Sequence, residues 1–180
     1  GILILSIGIA VSVGSYTLSL IDVYSIIIKG IVSEADSATD LIIWNNRLPR
    51  IMMAVAAGIG LGVSGSVMQA ILKNPLASPF TLGIASAASF GASVGIILGT
   101  GILGGTLLIV GNAFVCTLVA SCIIYFLASI KGFSSGVMIM AGIAVMYLFS
   151  ALTTFVQYMG SADAVQQVVF WTMGSLGKAT

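Results

Sequence analysis

The chain has 180 residues, of which 59% are hydrophobic and 6% charged, with a mean hydropathy of +1.21. A soluble domain carries about 25% charged residues, and this chain has too little polar surface to cover a water-soluble fold of its length, so its class is a polytopic α-helical membrane protein. A net charge of +1, six singly scattered cations and no histidine argue against a nucleic-acid interface and remove the commonest acid–base and metal-binding side chain.

The predicted elements follow from where the charges fall. Residues 1–21 are uncharged and no basic segment precedes them, which reads as a first membrane span rather than a signal peptide. Gly1 at the start and the apolar-to-polar change before Thr180 read as two cut ends. Residues 22–46 carry Asp22, Lys29, Glu34, Asp36 and Asp40, and read as a short interfacial or exposed helix near 22–31 followed by a loop. Ile51–Leu72 holds 22 uncharged residues, about 33 Å as a helix and enough for one crossing. With its entry it gives a second span, 50–72. Asn74–Ile130 holds 57 uncharged residues, too many for one crossing. Gly99, Gly101, Gly104 and Gly105 mark its return, giving spans 80–99 and 106–130. A fifth span is expected over 136–160. The tail 163–176 places Val165, Val168, Val169 and Met173 against Gln166, Gln167 and Thr172, the pattern of an amphipathic interfacial helix anchored by Trp171. The expectation is therefore one transmembrane domain with five spans.

Two spans carry a small residue at every fourth position: Ala54, Gly58, Gly62, Ser66 and Ala70 in the second, Gly83, Ala87, Gly91, Gly95 and Gly99 in the third. Small residues let membrane helices approach closely. The stripes read as helix packing at most positions, with a face lining a cargo pathway as the functional alternative. Intramembrane polar residues are few; Ser64, Ser66 and Gln69, Asn112, Thr117 and Ser121, and Thr153, Thr154 and Gln157 are among them, and they read as structural. Cys116 and Cys122 fall on different helix faces, which disfavours a disulfide between them and leaves two small buried residues. The span interiors hold no acid, and the chain has no Walker motif, catalytic dyad or metal-ligand cluster. Nothing here reads as a catalytic residue, a metal site or a bound cofactor.

Orientation from charge is indecisive. If residue 1 starts in the cytoplasm, Lys73 and Lys131 lie inside while Lys29, Arg47, Arg50 and Lys178 lie outside, which the positive-inside tendency does not favour.

The ordered run RLPR (47–50), SGSVMQ (64–69), KNPLASP (73–79) and LGIAS (82–86) resembles the permease subunit of FecCD-type ABC importers, which handle iron-siderophores, haem and cobalamin. The short loop Lys131–Gly136 and the segment Trp171–Ser175 agree with it. The resemblance implies the type II importer permease fold, with this chain as the N-terminal half of an expected ten-span subunit. It implies a homodimer in the cell (inner) membrane, two ATP-binding cassette ATPase subunits that consume the ATP, and an extracytoplasmic solute-binding protein. Arg47 and Arg50, at the start of the second span, are then the arginines that meet carboxylates of the binding protein, a pairing suited to guanidinium geometry; snorkelling to lipid headgroups is the alternative. Asn74 and Leu76, in the turn fixed by Pro75 and Pro79, become candidates for a cytoplasmic gate, with a helix-capping role for Asn74 as the alternative. Ser134 and Ser135 are the matching second gate candidates. Gly58, Gly62, Ser66, Gly83, Gly91 and Gly95 are the packing positions. The implied cargo is an iron complex of the siderophore type, with cobalamin, haem or molybdate as alternatives. An ATP-independent carrier or a membrane scaffold subunit is the competing reading from another class.

Overall fold

The computed structural model describes residues 1–13, 19–32, 38–102 and 104–177. All regular structure among them is helical: α1 (Ile2–Ser12), α2 (Leu20–Val32), α3 (Ala38–Ile42), α4 (Leu48–Leu72), α5 (Ile84–Ser93), α6 (Leu108–Lys131), α7 (Ser135–Tyr158) and α8 (Ala162–Met173). A π turn, Ile43–Arg47, joins α3 to α4; a second, Val94–Leu98, extends α5; a 3-10 turn, Gly105–Leu107, leads into α6. Three helical runs are long and apolar enough to cross a bilayer: Asp40–Leu72, Leu108–Lys131 and Ser135–Tyr158. The chain divides into two compact units, residues 1–60 with 175–180, and residues 61–174.

In the first unit, Val11 of α1, Val23 of α2 and Ile43 of the π turn are fully buried together, with Ile7, Ile26, Ile27 and Ile51 packed around them. Gly8 faces the ring of Tyr24 so closely that a side chain there would overlap it. The Tyr24 hydroxyl donates to the carbonyl of Ile4 at 2.8 Å. Asp22 in the first turn of α2 and Lys29 in its last match the helix dipole at both ends.

Two expectations for this region need correction. The first span, expected over 1–21 as one helix, ends at Ser12, because Val13 turns to an extended conformation with ψ 124° and a second helix starts at Leu20. Residues 14–18 of that expected span lie outside the described residues. The loop expected before residue 47 is helical from Ala38 onward, because the π turn carries the backbone hydrogen bonding directly into α4. Glu34 and Asp36 lie outside the described residues.

The second unit is built from α5, α6 and α7, with α8 against α5. Its core runs through Leu72, Ala77, Leu82, Ala87, Ala120, Ile124, Ala141, Val145 and Phe149. The rings of Phe90 and Phe149 meet at 5.6 Å between centroids, tilted by 51°, a favourable aromatic geometry. The third span, expected over 80–99, is shorter than foreseen. Residues 74–83 are irregular turns, and helix begins at Ile84 after Gly83 takes the left-handed conformation, φ +69°. At the far end Gly99, φ +63°, stops it. The hydroxyls of Ser66, Thr117, Ser121 and Thr153 donate to carbonyls four residues back, at 2.7–2.9 Å, so these intramembrane polar groups are satisfied within their own helices.

Candidate docking and translocation sites

Arg47 and Arg50 lie on one continuous helical run, at the end of its π turn and in the first turn of α4. Arg47 is half-buried and its guanidinium donates to the carbonyl of Val11, at 2.5 Å, near the end of α1. A cation there suits the exposed carbonyls of a helix C-terminus. Arg50 is exposed and donates to the carbonyl of Gly177 at 3.3 Å. Both guanidinium groups thus engage backbone carbonyls of their own unit. With five N–H donors in its fork, the exposed Arg50 keeps donors for a carboxylate.

The Asn74–Pro79 turn follows from its residues. Lys73 takes positive φ, +47°, to leave α4. The Asn74 amide N–H donates to the carbonyl of Gln69 at 3.2 Å. The Asn74 side-chain oxygen accepts from the Leu76 amide at 3.0 Å, and the Asn74 carbonyl accepts from Ala77 at 3.1 Å. Asn74 therefore organises the turn, as asparagine side chains do through local backbone bonds. Leu76 is left 84% exposed and Phe80 67% exposed, while Ala77 and Leu82 enter the core. A protruding leucine on a fixed turn is a shape suited to obstructing a passage.

Ser134 is the N-cap of α7: its hydroxyl accepts from the Val137 amide at 3.3 Å. Ser135 is the first residue of that helix and half-buried. The side-chain hydrogen bonds of Asn74 and Ser134 are each made to an amide two or three residues further along.

The two stripes of small residues have different surroundings. Gly58 and Gly62 have nothing within 4 Å of where a Cβ would sit, and Ser66 is exposed. Gly83, Gly91 and Gly95 are buried. A Cβ on Gly83 would lie 2.7 Å from the carbonyl oxygen of Gly142 on α7; one on Gly91 would lie 2.6 Å from the carbonyl carbon of Asn112 on α6.

The tail helix packs part of its apolar set inward. Val168 of α8 is fully buried and Ala164, Val165 and Trp171 are half-buried, whereas Val169 and Met173 are 42% and 75% exposed. The packed stripe is therefore Ala164, Val165, Val168 and Trp171. Cys116 and Cys122 are free thiols, Cys122 being exposed. Among the described residues no group of three or more His, Cys, Asp or Glu could hold a metal ion.

Two features escaped a functional reading of the sequence. Gly142 of α7 receives Leu82, whose Cα would lie 2.9 Å from an added Cβ; its signal was a buried-side glycine within a helical run. Asn112 of α6 is 5% exposed and is bonded to a loop ten and twelve residues before it. Its signal was an amide in the interior of an uncharged run, shortly after the glycine-marked return.

The chain matches the family model described as the FecCD transport family over residues 2–180. It is 38% identical over 179 residues to a protein named as an ABC transporter permease from Methanocaldococcus jannaschii, an alignment covering 94% of this chain and 50% of that relative. It is 34% identical to the vitamin B12 import system permease protein BtuC of Klebsiella pneumoniae, covering 76% of this chain and 41% of the relative. To the molybdate import system permease protein MolB of Haemophilus influenzae it is 32% identical, covering 97% and 51%. Among solved structures, a metal-chelate type ABC transporter in an inward-facing conformation matches with a TM-score of 0.80 at 29% identity, covering 99% of this chain and 52% of that one. The chain spans about half the length of the curated relatives it matches.

Proposed function

The chain belongs to the FecCD transport family, and from that premise we propose that it forms the N-terminal half of the permease subunit of an ATP-driven importer in the cell (inner) membrane. The carrying observation is the family match over residues 2–180, on a chain whose described residues include three helices long and apolar enough to cross a membrane. In this reading two permease copies enclose the pathway. ATP is bound and hydrolysed in separate cassette subunits, so the permease itself catalyses no reaction. A solute-binding protein delivers cargo at the outer face.

Arg47 and Arg50 engage carboxylates of that binding protein. Asn74 holds the inner turn and Leu76 projects from it as the obstructing residue, with Ser134 and Ser135 as the second gate. Import then consists of switching between two packings of one bundle, biased by ATP on one side and by the loaded binding protein on the other.

The cargo we assign is an iron complex of the siderophore type, which the metal-chelate transporter among the structural neighbours supports. The relatives named for vitamin B12 and molybdate support a second reading, in which cobalamin or an oxyanion is carried on the same frame; haem is a further outcome of the test.

Affinity purification of the full-length protein from native membranes, with mass spectrometry of the eluate, tests the assembly. An ATPase and a binding protein are expected, and the ligand held by the binding protein names the cargo. A permease arriving alone, under conditions that preserve other ABC complexes, overturns the reading in favour of a carrier or scaffold. Charge reversal of both arginines, Arg47→Glu with Arg50→Glu, is expected to weaken capture of the binding protein, with a loss that depends on ionic strength. Unchanged affinity removes the docking role.

A further inference from the structure

Asn112 is one of two buried polar or charged side chains among the described residues, the other being Ser93. Ser93 bonds within its own helix, to the carbonyl of Phe90. Asn112 does not. Its side-chain nitrogen donates to the carbonyl of Thr100 at 2.7 Å, and its side-chain oxygen accepts from the amide of Ile102 at 3.2 Å. Both ends of one buried amide are thus spent on a short exposed loop between α5 and α6. Three glycines make room for this. Gly91 lets the α5 backbone lie against the backbone of Asn112, where an added Cβ would come within 2.8 Å of the Ala113 nitrogen. At Gly95 and Gly101 an added Cβ would lie 3.3 Å and 2.7 Å from the Asn112 side-chain nitrogen.

Gly99, Thr100, Gly101 and Ile102 are all exposed, and two of the four are glycines. Such a segment loses much conformational freedom when it is fixed, so something must hold it. Next to it, the π turn of α5 packs on α8, and Ile97 of that turn sits against Gly160, the last residue but one before α8. The latched loop and α8 therefore share one end of this unit. Beside the latch, Leu98 and Ile102 are exposed.

We propose that Asn112 is a positioning residue: its buried amide latches the 99–102 loop in one conformation and thereby fixes the surface, shared with α8, onto which the binding protein docks. The docking half of this inference rests on the function proposed above; the latch itself does not. The latch has a chemical asymmetry that makes it testable. Asn112→Leu keeps the volume and removes both bonds. Asn112→Asp keeps an acceptor for the Ile102 amide and loses the donor to Thr100.

The experiment uses the full-length permease in lipid nanodiscs, with hydrogen exchange read on peptides covering 99–104 and on peptides of α7, and with binding-protein affinity measured in parallel. Asn112→Leu is expected to speed exchange in the loop by about tenfold, the scale of one lost buried hydrogen bond. The α7 peptides stay as in the parent, and binding-protein affinity falls by a similar factor. Asn112→Asp gives a smaller acceleration at Ile102. Unchanged loop exchange in Asn112→Leu overturns the latch. Faster loop exchange with unchanged affinity overturns the positioning role. Failure of the parent permease to bind any binding protein overturns the proposed function and the positioning role with it, while the exchange data still decide the latch.

Discussion

Along α4 the small residues Ala54, Gly58, Gly62, Ser66 and Ala70 are all exposed, whereas Gly83, Ala87, Gly91 and Gly95, at the start of α5 and along it, are all buried. The spacing is identical and the chemistry is the same. What differs is the partner. Gly91 and Gly95 meet α6 at Asn112 and Ile109, and Gly83 meets Gly142 and Met146 of α7. On α4 only Leu72, at its last turn, is buried. A four-residue stripe of small side chains thus marks a face able to pack closely; occupancy of that face is decided by what the rest of the chain brings to it.

The contrast is sharpest for bulky substitutions. Gly91→Leu is expected to be the most damaging change, about 3 kcal/mol or more, because α5 and α6 must separate along their closest approach. Thermal unfolding of the purified protein in detergent checks it. The matching change on α4, Gly62→Leu, is expected to cost less than about 0.5 kcal/mol, because nothing lies within 4 Å of where its Cβ would sit. Measured in the full-length permease, an equal cost at both positions would break the comparison by showing that the α4 face is also closely packed there.

Gly142→Ala comes next. The added methyl would meet the Leu82 backbone at 2.9 Å, and a loss of about 1–3 kcal/mol is expected from overpacking; a stability equal to the parent's would show that α5 and α7 can slide apart without cost. Ser134→Ala removes the cap of α7 and should lower stability by about 1 kcal/mol, with Ser134→Asp restoring it. The smallest effect belongs to Gly62→Ala, where higher helix propensity should leave stability equal or raised by less than about 1 kcal/mol. A clear loss there would again place a neighbour against α4.

Much of this was legible in the sequence because a bilayer allows few solutions. Charge-free runs of sufficient length had to be helices, and the glycine cluster at 99–105 had to be a return. The irregular starts were not legible. Helix between Ala38 and Arg47 runs through Asp40, Asn45 and Asn46, residues whose propensities favour turns, and continuity through a π turn leaves no composition signal. On α8, Val165, Val168, Val169 and Met173 cover more than one side of the helix, and only packing selects which of them is inside. For the site residues, hydrophobic patterning could not tell a gate from a cap. The Asn74 side chain caps its own turn, and that is compatible with Leu76 being the residue that obstructs.

The π turn at Val94–Leu98 has a consequence for how this segment tolerates change in length. A π turn holds one residue more than the α turn it replaces, so it is where a helix has absorbed a single insertion without breaking. Deleting one residue there would restore a plain helix and keep its backbone bonding. Because the wide turn itself takes up the extra residue, the backbone beyond it keeps its direction, and Gly99, Thr100 and Ile102 would stay within reach of the amide of Asn112. A one-residue deletion inside Val94–Leu98 is therefore expected to be tolerated where the same deletion between Gly99 and Ile102 is not.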